Sequence, residues 1–142
     1  MFYVVLVSHG DFAPGLHTAV RMIAGERANV LSTSLRDGMG ADVYAENVAQ
    51  LVAPIQPEDQ IVLLADLLGG SPLTTAMKVL ADRGLLAHTH AFTGMNLPMA
   101  LTAVLTGETL GEEALADTLL SETRNAVQEF RLDDSTEDED DI

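Results

Sequence analysis

A histidine and an aspartate define the chemistry this chain can do. His9 lies in Ser8-His9-Gly10, directly after the apolar run Phe2 to Val7, and Asp66 directly follows a second run, Gln60 to Ala65. A carboxylate beside an imidazole fixes one ring nitrogen as a donor and leaves the other free as a nucleophile. It also stabilises the positive charge that grows on attack. Gly10 lets a reacting group come close. After Asp66 comes Leu67-Leu68-Gly69-Gly70-Ser71-Pro72, a glycine-rich turn running into a helix start. Such a turn offers free backbone N–H groups and the positive end of the helix dipole, which suits a phosphate. Ser71 adds a hydroxyl donor. It also reads as an N-cap with Pro72 at the first helical position, and the two uses are compatible because the cap geometry creates the anion site. Together these residues make His9 a candidate phosphoryl acceptor.

Other groups are weaker candidates. Asp37-Gly38-Met39-Gly40 reads as a loop over the pocket or as a plain turn, and Gly94-Met95-Asn96-Leu97-Pro98-Met99 supplies another loop, with Asn96, expected at the same edge. His17 falls on the first helix. His88 and His90 share one face of a strand, but no third ligand adjoins them in sequence, so they read as surface residues and no metal or cofactor is expected. The Gly69–Pro72 stretch lacks the Gly-Lys-Ser/Thr ending of a nucleotide-binding P-loop, and no Gly-x-Gly-x-x-Gly fingerprint follows the first strand.

The elements that must position these residues follow from apolar patterning. Phe2 to Val7 and Gln60 to Ala65 are apolar on both faces and predict central strands of a parallel sheet. Ala28 to Ser34 and Leu86 to Thr93 are the further strand candidates. Helical spacing predicts helices over Gly15 to Ile23, Asp42 to Ala53, Pro72 to Arg83, Pro98 to Thr106 and Glu112 to Gln128. Strands alternating with helices predict an α/β fold, an open parallel sheet of four strands with helices on both faces. In such sheets the chemistry sits beyond the C-terminal ends of the strands, where His9 and Asp66 fall.

Composition narrows the function classes. At 142 residues, 47% hydrophobic and without cysteine, the chain excludes disulfides, thiolate metal sites and cysteine nucleophiles. No stretch reaches the roughly 18 apolar residues of a membrane span. The apolar start reads as a strand rather than a leader, and a cytoplasmic protein is expected. Net charge is −15, of which seven units lie between Asp133 and Ile142. That run is expected to be a disordered acidic tail after a single domain spanning 1–132. An acidic body with seven Lys and Arg argues against nucleic-acid binding and favours a partner with a basic face.

Three motifs in order then carry a resemblance. Ser8-His9-Gly10 with Gly15-Leu16, the Asp66–Pro72 segment and Gly94-Met95-Asn96-Leu97-Pro98-Met99 resemble the mannose-family (mannose/fructose/sorbose) IIA components of the bacterial phosphoenolpyruvate-dependent sugar phosphotransferase system, over about residues 1–130. The resemblance implies a phosphocarrier in which His9 takes a phosphoryl group from the histidine-phosphocarrier protein and passes it to a IIB component, with membrane IIC and IID partners beyond. It implies that Asp66 orients His9 and that Gly70 and Ser71 line the phosphoryl site. It also implies a homodimer exchanging a C-terminal strand, for which Val127 to Leu132 is the candidate. The chain departs from the pattern at Leu68, where the family often has a larger aromatic. No basic residue adjoins the three motifs except Arg36, beside the loop at Asp37 and Gly38.

Competing readings are a IIA-like phosphoryl donor subunit of a dihydroxyacetone kinase and a non-catalytic regulatory α/β module of receiver type. The Gly69–Pro72 and Gly94–Met99 segments fit the mannose family better than the first. The second needs an acidic pair after the first strand, where Ser8-His9-Gly10 stands. A flavin or nucleotide domain lacks its glycine fingerprint and, with four Phe and two Tyr, its stacking aromatics.

Overall fold

A computed structural model of the chain describes residues 1–132. Four strands, β1 (Phe2–His9), β2 (Val30–Leu35), β3 (Gln60–Ala65) and β4 (Thr89–Phe92), form one sheet in the order β2-β1-β3-β4. Every pairing is parallel. Four helices connect and follow them: α1 (Phe12–Ala24), α2 (Ala41–Leu51), α3 (Ser71–Asp82) and α4 (Leu97–Asn125). The α/β architecture expected from the sequence is the one observed.

Strand alternation divides the core in two. Phe2, Val4 and Leu6 point to one face and pack with Ala13, Leu16 and Val20 of α1 and Met99, Ala100 and Ala103 of α4. Tyr3, Val5 and Val7 point to the other face and pack with Tyr44 and Val48 of α2 and Ala76 and Leu80 of α3. Because β1 and β3 are covered on both faces, they read in sequence as unbroken apolar runs. The edge strand β2 is only partly buried, with the pattern Val-Leu-Ser-Thr-Ser-Leu, and starts two residues later than its apolar run suggests.

The order of the strands fixes where chemistry can occur. From β1 the chain passes through α1 to β2 on one side, then through α2 to β3 on the other side of β1. The connections after β1 and β3 therefore diverge to opposite faces of the sheet, leaving a crevice at the C-terminal ends of these two strands. His9 closes β1 and Asp66 follows β3.

The bounds of two expected helices change. The helix expected at Gly15 begins at Phe12, because the buried Ser8 Oγ accepts a hydrogen bond from Ala13 N at 2.6 Å and satisfies a first-turn amide. The two expected C-terminal helices are both present within α4, separated where Gly111 adopts φ 76° and ψ 166°, and the first runs on past Thr106 to that break. A left-handed glycine is what permits the break between them. Val127 to Leu132, the candidate for a strand exchanged with a second copy, forms no strand within a single chain, and Val127, Phe130 and Leu132 are exposed. A strand needs a hydrogen-bonding neighbour, and this segment meets none among the described residues. The acidic tail expected at 133–142 lies outside the described residues.

Candidate functional site

His9 and Asp66 meet at the crevice. The His9 ring Nδ1 lies 2.9 Å from Asp66 Oδ2, and the same oxygen accepts the His9 backbone N–H at 3.0 Å. Asp66 Oδ1 accepts the Leu67 N–H at 2.9 Å. Partial burial pushes the Asp66 carboxyl up, but the two His9 hydrogen bonds, the His9 ring charge and the Leu67 amide outweigh it and hold the group below its ordinary range. An ionised carboxylate can only accept, so Nδ1 carries the proton and donates it to Asp66. Nε2 is then the nitrogen with a free lone pair. The imidazole side chain is 46% exposed and the carboxylate 14%, so the ring faces solvent while the carboxylate is sheltered.

Gly70 shapes the approach to that nitrogen. A Cβ built on Gly70 would stand 3.2 Å from His9 Cε1 and 3.4 Å from Nε2, so only a glycine leaves the space beside that nitrogen clear. Its φ of 107° and ψ of 162° lie in a region open essentially to glycine alone. Gly70 also occupies the N-cap position of α3. Ser71, expected as the cap, lies instead in the first turn, and no side chain caps this end. An amide N–H at an uncapped helix start is available to an anion. The start of α3 is held from behind by Tyr44 of α2, fully buried, whose hydroxyl donates to Pro72 O at 2.8 Å. Burial, and secondarily the Asp66 charge, push the Tyr44 hydroxyl well above its ordinary value, so it remains a donor. Tyr44 escaped the sequence reading because its polar tip interrupts the apolar face; its spacing of four from buried Val48 was the available signal.

The remaining candidates divide between two grooves. Gly10, Asp37 and Gly38 line one cavity of about 360 Å³ together with His9, Leu35, Arg36 and Met39. Asn96 does not. Its side chain accepts from Met99 N at 2.9 Å and caps α4, and it lines a separate groove with Leu68, Gly94 and Arg124. The loop before α4 still reaches the strand ends, since Met95 N donates to Ala65 O at 3.0 Å. His17 bonds Ser32 Oγ at 2.7 Å on the β2 side. His88 and His90 each hydrogen-bond the Glu112 carboxylate, a partner distant in sequence.

Comparison with known proteins sets this chain in a family. The family model described as "PTS system fructose IIA component" matches residues 3–120, most of the chain. The fructose-specific EIIA component of the phosphotransferase system (PTS) of Bacillus subtilis is 27% identical over 128 residues, covering 90% of this chain and 86% of that protein. The mannose-specific EIIAB component of Escherichia coli K12 is 26% identical over 102 residues; the match takes in 72% of this chain but only 31% of that protein. The mannose/sorbose-specific IIA subunit of Enterococcus faecalis superimposes with a TM-score of 0.78 at 27% identity, covering 94% of this chain and 98% of that one. A Streptococcus agalactiae EIIA shares the fold at a TM-score of 0.76 and 23% identity, over 91% and 97% of the two chains. The chain belongs to the mannose/fructose IIA family of the sugar phosphotransferase system, whose members are phosphotransfer proteins.

Proposed function

We propose that this chain is a phosphocarrier that accepts a phosphoryl group on His9 Nε2 from the histidine-phosphocarrier protein and delivers it to a IIB component for sugar uptake. The observation that carries the reading is the Nδ1–Asp66 contact of 2.9 Å, which leaves Nε2 free beside Gly70 and an uncapped helix start. In the transfer, the Nε2 lone pair forms a bond to phosphorus as the donor's P–N bond breaks, and the donor imidazole leaves with the bonding pair. His9 keeps its Nδ1 proton, and Asp66 balances the cationic ring. Three phosphoryl oxygens are left to the amides at the start of α3 and the Ser71 hydroxyl. Such a step needs positioning and charge stabilisation more than covalent help.

Exchange with protein partners agrees with the surface around the histidine. Phe12, Leu67 and Leu68 are large, exposed apolar side chains within three residues of His9 or Asp66, a rim suited to transient docking. A cytoplasmic carrier working with membrane IIC and IID partners is the corresponding placement; no helix among the described residues is long and apolar enough to cross a membrane. The exposed Val127, Phe130 and Leu132 support a homodimer in which the C-terminal segment pairs with a second copy, with 1–132 as the carrier domain.

The test is incubation with the phosphoenolpyruvate-dependent donor system, followed by assay for an acid-labile, base-stable adduct and its transfer to IIB. Label on the wild-type protein and none on His9→Ala is the expected result. Label persisting on His9→Ala overturns the assignment.

A further inference from the structure

The chain is strongly acidic, yet the proposed reaction brings in a dianion. The distribution of its seven Lys and Arg residues is therefore informative. Arg21 pairs with Glu26, Lys78 with Asp82 and Arg131 with Glu129. Arg27 and Arg83 are spent on helix-end and loop carbonyls. Arg124 lines the groove near Asn96. Arg36 alone lines the cavity that also holds His9.

Its position follows from the sheet. His9 and Leu35 are register partners across β1 and β2, and Gly10 N donates to Leu35 O at 2.9 Å. Arg36 is the next residue, so its side chain leaves the backbone beside the His9–Gly10 turn. Met39 N donates to Arg36 O at 2.9 Å, folding Arg36 to Met39 into a tight turn with Gly38 at φ 83°. The guanidinium Nε stands 3.6 Å from Asp11 Oδ1, beyond hydrogen-bonding distance, and both side chains are well exposed at 62% and 80%. Asp11 holds the N-cap position of α1 but makes no capping bond, and Ser8 serves the first-turn amide in its place. Two loops thus hold a loosely paired cation and anion, and the cation lines the cavity.

We propose that Arg36 is a phosphoryl-binding residue that leaves Asp11 for the phosphoryl oxygens once His9 is phosphorylated, with Asp11 competing to limit how tightly the group is held. This rests on the reading of His9 as the acceptor. A planar guanidinium binds a phosphoryl dianion through two parallel charge-assisted hydrogen bonds, a stronger arrangement than a loose contact with one carboxylate oxygen. Asp66 bonds the His9 ring, Asp37 lines the His9 cavity and Asp11 contacts Arg36, so one recruitable cation offsets repulsion that the helix amides meet only in part. The competitor matters equally. A carrier that held its cargo too firmly would fail to pass it on, and Asp11 returns Arg36 to its resting contact after transfer.

The experiment measures the fraction of protein phosphorylated at equilibrium with a fixed ratio of phosphorylated to free donor. Arg36→Ala is expected to lower the phosphorylated-to-free ratio of the chain about 3- to 10-fold, the range for a charged hydrogen bond discounted for exposure. Asp11→Asn is expected to move it the other way, about twofold upward. Opposite signs distinguish competition from a structural ion pair, whose two halves fail alike. Thermal unfolding of both variants reads folding separately. An Arg36→Ala ratio within wild-type error, or Asp11→Asn falling alongside Arg36→Ala, overturns the proposal while leaving His9 labelled. A wild-type chain that takes no label overturns the His9 reading and this one with it.

Discussion

Two places in this molecule bring histidine and carboxylate together at almost the same distance. At the crevice, His9 and Asp66 lie 2.9 Å apart; at the β4 edge, His88 and His90 lie 2.9 and 3.0 Å from Glu112. What separates them is everything around the contact. Asp66 is sheltered and its remaining lone pairs are engaged by two backbone amides, so it is a fixed acceptor. Glu112 is 40% exposed, follows the bend at Gly111, and gives one oxygen to each ring. Beside His9 stand a glycine that clears Nε2 and an uncapped helix start. His88 and His90 instead share one exposed carboxylate, so neither holds an acceptor of its own. A histidine–carboxylate contact becomes a reactive site only when the second nitrogen is both free and met by groups that bind what it attacks.

The contrast breaks most sharply at the nucleophile. His9→Ala removes the acceptor and should abolish acid-labile labelling, whereas the His88→Ala, His90→Ala double variant should label within about twofold of wild type. Labelling that depended on the β4 histidines would dissolve the distinction. Next in size is Asp66→Asn. The amide can turn its oxygen to the ring but loses the charge, and removing a charged hydrogen bond of about 1.5–3 kcal/mol predicts a rate loss of about 10- to 100-fold. Single-turnover transfer from the phosphorylated donor measures it, and a rate unchanged within error would show that orientation by Asp66 is dispensable.

Gly70→Ala sharpens the steric half of the comparison. The substitution strains a backbone conformation reserved for glycine by about 1–3 kcal/mol and sets a methyl 3.2 Å from His9 Cε1. Urea unfolding should report the strain, and transfer should slow by about tenfold beyond any loss of folded protein. Full transfer activity in a folded Gly70→Ala protein would mean that the approach to Nε2 lies elsewhere.

The central strands were legible in the sequence because β1 and β3 are buried on both faces, and an unbroken aliphatic run closed by polar residues is the mark of a strand with no solvent face. The meeting of His9 and Asp66 was legible for the same reason: His9 closes one such run and Asp66 follows the other, at strand ends that the sheet brings side by side. Local signals misled where a long-range contact decides. Ser71 has the residue type of an N-cap, but the backbone of Gly70 takes that place. Asn96 caps α4 and lines a groove apart from the one beside His9. The Tyr44–Pro72 bond, the reach of Glu112 to His88 and His90 and the pairing of Arg36 with Asp11 join residues distant in sequence, so no spacing rule could reveal these contacts.

The smallest effect belongs to Glu112→Gln, and its pH dependence is the informative part. The His90 hydrogen bond above all, then the His88 hydrogen bond and the charges of both rings, hold the Glu112 carboxyl below its ordinary value against partial desolvation. A carboxylate depressed on folding contributes stability that is fully present above its unfolded value and is lost as pH falls through the folded one. Wild-type and Glu112→Gln proteins should therefore differ in Tm near neutral pH and converge on acidification below the ordinary glutamate range of about 4.3. Both partners are exposed and screened, so the difference should not exceed about 3 °C. Phosphoryl acceptance should be the same in the two proteins at every pH at which both are folded. A transfer rate that followed the Glu112 titration would couple the β4 edge to the crevice, and the two histidine–carboxylate clusters would then have to be treated as one device.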